Sequence, residues 1–220
     1  MQTFVIGLTG GVGRRLAGEL LAHGDDVRGL VRQGSQRDDL AGRGVRAAVG
    51  DLTTMDADAL AAAIRGADAL VFAAGSNAGA RAVTDAVDGC GLATAIEAAR
   101  RAGVPRFVSV SVLPEAQREL VLDEDVEHYY AVKKVGDVAL AESDLDWVVL
   151  RPSLLVDGPG AGTITLGPAA LHGQVARADV ATTVAELLHE PRIARQVLEL
   201  DAGTTPIRDA VRANVRTALG

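Results

Sequence analysis

Short apolar runs alternate with segments of helical periodicity along this chain at intervals of roughly 20 to 30 residues, the pattern of βαβ units feeding a parallel sheet. Thr3 to Gly7, Val27 to Val31, Val45 to Val49, Ala69 to Ala73, Phe107 to Ser111 and Trp147 to Leu150 predict strands. Between the first two, Leu16, Ala17, Leu20 and Leu21 give one apolar face to a helix over Val12 to His23. Gly24 ends it, where a left-handed cap is easily adopted. Leu60 and Ile64 mark a helix over Asp56 to Arg65. A longer one spans Thr84 to Arg101 and stops at Gly103 and Pro105, and another covers His128 to Glu142. The acidic residues Asp123, Glu124, Asp125 and Glu127 read as a solvated loop before that last helix.

The alternation breaks after Leu150. Gly158-Pro159-Gly160-Ala161-Gly162 punctuates a loop ahead of the strand-like Thr163 to Leu166. Asp179 to Leu188 reads as a helix capped by Asp179, Val197 to Leu200 as a strand, and Ile207 to Leu219 as a closing helix with Pro206 near its start. An α/β fold follows, a doubly wound parallel sheet in a single domain over 1–220, with 152–220 forming a smaller C-terminal elaboration.

Composition narrows the classes. With 220 residues and 48% hydrophobic content, the chain can bury the core of one domain. It has no apolar run of ~18 residues and no secretory signal, so we expect a soluble, cytoplasmic protein that makes no use of a membrane. The net charge of −7 argues against nucleic acid as a partner. The single cysteine, Cys90, excludes an intrachain disulfide and a multi-cysteine metal site, and its Ala- and Gly-rich surroundings suit a small packing residue. His23, His128, His172 and His189 show no metal-ligand spacing, so no metal is expected. Monomer and homodimer are both compatible with the sequence.

Chemistry enters at Gly7-Leu8-Thr9-Gly10-Gly11-Val12-Gly13, between the first strand and the first helix. Glycines here let a phosphate approach the backbone while the helix N-terminus offers unpaired N–H groups. The alternative is a tight turn whose glycines serve only packing. Leu8 stands where such turns usually carry a small residue and is expected to crowd the phosphate side. If the sheet is doubly wound, ligands lie beyond the carboxyl ends of its strands. Arg32 ends the second strand, where an arginine suits a 2′-phosphate and a carboxylate would suit a free ribose hydroxyl. Arg14 follows the last turn glycine, close to the same phosphates. Both arginines can also be ordinary surface residues. Asp51, after Gly50, can accept from an adenine amino group or cap a helix, and Ala73-Ala74-Gly75 offers small side chains over which a cofactor can lie flat.

Of the 22 basic side chains only Lys133 and Lys134 are lysines, and the two tyrosines, Tyr129 and Tyr130, stand one helical turn before them. Positions four apart share a helix face, so the pair is Tyr129 with Lys133 or Tyr130 with Lys134. An adjacent ammonium stabilises phenolate and is expected to lower the tyrosine pKa towards the range of a general acid or base. Ser111 and Ser109, at the end of the fifth strand, are candidate hydroxyl donors, with Ser111 nearer the strand end. Arg151 before Pro152 reads as a buried anchor bonded to backbone, and His128 as an exposed residue of the first helical turn.

Taken together, the Gly7-x-x-Gly10-x-x-Gly13 turn, the Val31-Arg32 strand end, Gly50-Asp51-Leu52, Ala102-Gly103-Val104-x-Arg106-Phe107-Val108, Tyr-x-x-x-Lys, Leu150-Arg151-Pro152 and Arg177-x-Asp179-Val180-Ala181 occur in order. This set resembles the atypical short-chain dehydrogenase/reductases, especially single-domain NAD(P)H-binding proteins of the NmrA-like and flavin/biliverdin-reductase-like group. The resemblance implies a Rossmann-type doubly wound sheet with a small C-terminal substrate-binding elaboration. Its cofactor would be NADP in preference to NAD, held by the turn from Gly7 through Thr9, Gly10, Gly11, Val12 and Gly13, by Arg14 and Arg32, by Asp51 and Leu52, by Ala73, Ala74 and Gly75, and by Lys133. Asp137 and Leu140 follow Lys133 as the family pattern requires, which selects Tyr129 and Lys133 as the catalytic pair, with Ser111 as their partner. The implied activity is NADP-dependent reduction of a small carbonyl, quinone or flavin-like substrate. The small apolar residues Leu154, Leu155, Val156 and Ile164 point to an apolar one. A cofactor-sensing regulator without turnover and an epimerase or isomerase are the competing readings.

Overall fold

The computed structural model describes residues 1–115 and 122–216. The chain runs β1 (Gln2–Ile6), α1 (Gly11–Ala22), β2 (Asp26–Val31), α2 (Gly34–Ala41), β3 (Arg46–Val49), α3 (Ala57–Ile64), β4 (Ala69–Phe72) and α4 (Arg81–Thr84). A π-helical segment, Asp85–Gly91, leads without a break into α5 (Leu92–Ala102). There follow β5 (Arg106–Val110), α6 (Glu124–Ala141), β6 (Asp146–Pro152), β7 (Leu154–Val156), β8 (Thr163–Gly167), β9 (Gln174–Ala176), α7 (Arg177–Leu188), β10 (Gln196–Ala202), β11 (Thr205–Pro206) and α8 (Ile207–Ala213).

The main sheet has the order β11-β8-β10-β6-β5-β4-β1-β2-β3, parallel from β3 to β10 and antiparallel at β8 and β11. This is the predicted doubly wound sheet, with its order reversing between β1 and β4. Ala69, Leu70, Val71 and Phe72 of β4 are all fully buried, as a strand covered by helices on both faces requires. One core, including Val5, Leu16, Leu20 and Val184, lies on the side of α1 and α7. The other, including Phe4, Leu60, Ile64 and Leu140, lies on the side of α3, α5 and α6. No helix among the described residues is long and apolar enough to cross a membrane.

Several local expectations are corrected. The acidic run opens α6 instead of preceding it: Asp123 caps the helix by accepting from the Asp125 N–H at 2.8 Å, and Arg81 pairs with Glu124 and Asp125. Carboxylates are favoured at the unpaired N–H groups of a first turn. Asp179 is the third residue of α7 and not its cap; its carboxylate accepts from the N–H groups of Ala161 and Gly162 at 2.9 Å each, pinning the glycine-rich loop. The backbone anchor is Arg106, which donates to the carbonyls of Leu187 and Ile193 at 2.6 Å. Arg151 pairs with Asp137 at 2.9 Å, because a carboxylate within reach outcompetes neutral carbonyls. Cys90 is exposed on the π segment, so it is not a packing residue. The closing helix stops at Ala213, where Asn214 donates to the carbonyls of Ala210 and Leu166; its expected end at 217–219 lies outside the described residues.

Candidate functional site

The strand ends meet the first helix at two positions where only glycine fits. Gly7 has φ +92°, and a Cβ there would lie 2.5 Å from the Ala73 carbonyl, just beyond the paired ends of β1 and β4. A Cβ on Gly13 would lie 2.2 Å from the Gly7 carbonyl oxygen, so the start of α1 presses directly on the turn. Gly10 and Gly11 are left at the surface of a cleft, close to the helix N-terminus. Leu8 does not crowd that side. Its side chain is fully buried and fills the space a Cβ on Gly29 would need, 2.7 Å from Leu8 Cδ2.

The cleft, about 520 Å³, crosses the carboxyl ends of the strands at the reversal of strand order. Gly10, Gly11 and Val12 form one wall, and Ala73, Ala74 and Gly75 line it beyond β4. Ser111, Tyr129 and Lys133 line the same cleft, and so do Leu154 and Leu155 of β7. Gly7 and Gly13 lie beneath it as packing positions. Thr9 and Arg14 are exposed beside the turn. Arg32 and Asp51 sit together beyond the ends of β2 and β3, while Leu52 is buried against Gly91 and points into the core.

Asp51 accepts from the Thr53 N–H at 2.9 Å and the Thr53 hydroxyl at 2.7 Å, closing a local turn. These bonds, helped by the Arg32 charge, hold its carboxyl below the ordinary range despite some burial. The cap of α3 is Asp56, whose carboxylate accepts from the Ala59 N–H.

Lys133 reaches the cleft with only 2% of its surface exposed, whereas Lys134 turns outward to pair with Glu115. The Lys133 ammonium donates to the Val110 carbonyl at 3.3 Å and lies 3.3 Å from Oδ1 of Asp88, a fully buried carboxylate. Its distance to the Tyr129 ring centroid is 6.0 Å. Burial pushes the Tyr129 phenol well above its ordinary value, and Asp88, Tyr130 and Asp137 add to the shift. The direction is opposite to the expected lowering, because burial of the phenol disfavours its charged form and the carboxylates of Asp88 and Asp137 add to that. Like an ordinary phenol, Tyr129 keeps its proton at neutral pH, and burial extends that to more alkaline solution.

Ser111 is buried at the mouth of β5. Its hydroxyl makes no complete hydrogen bond among the described residues, yet it lies close enough to Asp137 to favour that carboxylate's charge. Burial nonetheless raises the Asp137 carboxyl overall, against the opposing effects of Ser111 and Arg151. Ser109 is buried within β5 and stays outside the cleft lining. His128 lies in the second turn of α6, where it pairs with Asp85 at 2.7 Å.

A model of the NAD(P)H-binding family matches residues 7–191, spanning the glycine turn, the cleft and α7. The chain belongs to that family. The NAD(P)H-binding chain is 36% identical over 214 residues to the uncharacterised sugar epimerase YhfK of Bacillus subtilis, covering 96% of this chain and 99% of that one. Among solved structures it is similar to a protein of Bacillus halodurans assigned as an NAD-dependent epimerase/dehydratase, with a TM-score of 0.88, 29% identity, and coverage of 97% of this chain and 99% of the other. It is also similar to ChuY, an anaerobillin reductase from Escherichia coli O157:H7, with a TM-score of 0.77, 30% identity, and coverage of 92% and 97%. Cleft and relatives together are those of an NAD(P)H-dependent oxidoreductase.

Two charged groups at this cleft escape sequence reasoning. Arg177 lies over the glycine turn: a Cβ on Gly11 would meet its Cδ at 2.7 Å, and its guanidinium pairs with Asp157 at 3.3 Å. The Arg177-x-Asp179 motif marks the residue but not its contact with a turn more than 160 positions earlier. Asp88 sits in an Ala- and Gly-rich segment where neither spacing nor composition indicates a buried charge.

Proposed function

We propose that the protein is a cytoplasmic, NADPH-dependent reductase of a small, apolar carbonyl, quinone or flavin-like substrate. The observation that carries this reading is the convergence of Ser111, Tyr129 and Lys133 on the cleft that the glycine turn opens. The residues fit a dinucleotide: the Gly7 and Gly13 contacts bring the start of α1 against the strand ends, and Arg177 supplies a cation over the turn. Preference for NADPH is supported by Arg32, which is exposed and has no hydrogen-bonded carboxylate of its own among the described residues. Asp51, beside it, suits the adenine amino group. The exposed thiol of Cys90 suits a reducing compartment.

The bound nucleotide supplies a hydride. The chain supplies the rest. Tyr129, held protonated by its surroundings, gives its Oη proton to the oxygen that gains charge on reduction, and Ser111 Oγ donates a hydrogen bond to the same oxygen. Lys133, fixed in the cleft lining by the Val110 carbonyl and Asp88, would be the cation that helps hold the nucleotide. Val112, Leu113, Val126, Leu154 and Leu155 favour an apolar body in the substrate.

The name of the Bacillus subtilis relative supports a second reading, an epimerase that returns the hydride to its own substrate. The deciding experiment is NADPH consumption with a panel of quinones, flavins and small carbonyls, run beside Tyr129→Phe. The reductase reading expects turnover that falls about 10²- to 10⁴-fold in the variant while nucleotide binding persists. Nucleotide retained through purification without net consumption would favour the epimerase. Binding without any turnover would favour a cofactor sensor.

A further inference from the structure

Asp157, the residue after β7, stands beside the glycine turn with a charge of the wrong sign for a phosphate site. Its Oδ2 pairs with the Arg177 guanidinium and its Oδ1 with that of Arg15, both at 3.3 Å. Both arginines are tied to the first residue of α1: a Cβ on Gly11 would lie 2.7 Å from Arg177 Cδ, and Arg15 donates to the Gly11 carbonyl at 2.7 Å. That helix opens with Gly10 at its cap, without a side-chain cap and without an acidic residue in its first turn, whereas Asp56 and Asp123 cap α3 and α6. One carboxylate thus bridges two cations beside a helix N-terminus that carries no anion of its own. It is also loosely held. Asp157 keeps 74% of its side chain exposed, in contrast to the buried carboxylate of Asp137 with which Arg151 pairs.

We propose that Asp157 is an internal anion that occupies Arg15 and Arg177 while the cleft is empty and competes with the pyrophosphate of the dinucleotide for them. The inference rests on nucleotide binding at this cleft and holds for a reductase, an epimerase or a sensor alike. Phosphate oxygens accept the same guanidinium bonds as a carboxylate, two phosphates carry more charge than one carboxylate, and the helix N-terminus adds to their attraction. An exposed carboxylate leaves at small cost, because water takes over its solvation. In the empty site Asp157 offsets the repulsion between two guanidinium groups and keeps Arg177 over Gly11. In the loaded site the same charge favours release of the nucleotide. Asp157 acts through the arginines, so it is a positioning residue that sets affinity. It also joins the two ends of the cleft, since β7 immediately before it carries Leu154 and Leu155 into the lining. The loop that follows stays fixed when Asp157 lets go, because Asp179 holds the Ala161 and Gly162 N–H groups independently.

The test is calorimetric titration with NADPH, and with inorganic pyrophosphate as the minimal anion, of the wild type and of Asp157→Asn. Melting of the nucleotide-free proteins reports that the fold persists. Asp157→Asn is expected to bind both ligands about 3- to 10-fold more tightly, the worth of two exposed ion pairs that no longer have to be broken. The same substitution made in Arg15→Ala/Arg177→Ala should change affinity by less than about twofold, since no contest for the arginines is left. Unchanged binding in Asp157→Asn overturns the proposal. Weaker binding overturns it too, and would make Asp157 a support that aims Arg177 at the phosphate. So does a gain that persists undiminished without the arginines, which would reduce Asp157 to a diffuse repulsive charge. The comparison needs no turnover, so its outcome is separate from that of the reductase reading, which fails as absent NADPH consumption. Absence of NADPH binding in wild type and variant alike would overturn the site itself, a result distinct from equal affinities.

Discussion

Arg177 and Gly11 stand 166 positions apart in sequence and in direct contact in space: a Cβ on Gly11 would lie 2.7 Å from Arg177 Cδ and 3.1 Å from its Nε. The first residue of α7 thus lies over the first residue of α1, whose N-terminus faces the cleft. Asp157 holds the arginine there and also pairs with Arg15, both at 3.3 Å.

Arg177→Ala is therefore expected to weaken nucleotide binding about 10- to 100-fold, the worth of one or two charge-assisted bonds to phosphate, with little change in thermal stability. Calorimetric titration reads the affinity, and melting in the absence of nucleotide reads the fold. Unchanged affinity would remove Arg177 from the binding site.

Gly13→Ala should act on the fold itself. Its Cβ would enter the Gly7 carbonyl, and backbone cannot yield as a flexible side chain can. A loss of about 3 kcal/mol is expected in denaturant unfolding, with binding lost as a consequence.

The turn, the parallel strands and the Tyr129 to Lys133 spacing are legible in the sequence because each is local: glycines between a strand and a helix, apolar runs of the right length, residues one turn apart. What the sequence hides is long-range or weakly patterned. Only Leu40 of α2 is buried, so that helix has no apolar face to read. The paired strands β7 and β9 have three residues each, too few to show a period. The Tyr129 environment is hidden for a different reason. Spacing places the ammonium near the phenol, but the carboxylate that holds that ammonium comes from another helix.

The raised phenol makes a stability prediction. In the unfolded chain Tyr129 ionises near pH 10, whereas in the fold it keeps its proton to higher pH. Above about pH 10 the folded state thus binds more protons, and stability falls as pH rises through the window up to the raised value, by about 1.4 kcal/mol per unit. Tyr129→Phe removes this contribution. Its unfolding free energy should decline less steeply than the wild type's in alkaline solution, as urea melts at successive pH values would show. Parallel curves would contradict the assigned environment.

Asp179→Ala is expected to free the loop at 158–162, since the carboxylate is the shared acceptor for the Ala161 and Gly162 N–H groups. Faster amide exchange at those two positions, with a stability loss of about 1–3 kcal/mol, is the expected outcome.

Titration of the purified protein with NADPH and NADH, alongside Arg32→Ala, tests nucleotide binding and the role of Arg32 together. NADPH is expected to bind more tightly than NADH, a preference that collapses in the variant while NADH affinity holds. Binding of neither nucleotide would contradict it, leaving the glycine turn as a packing device at the reversal of the sheet.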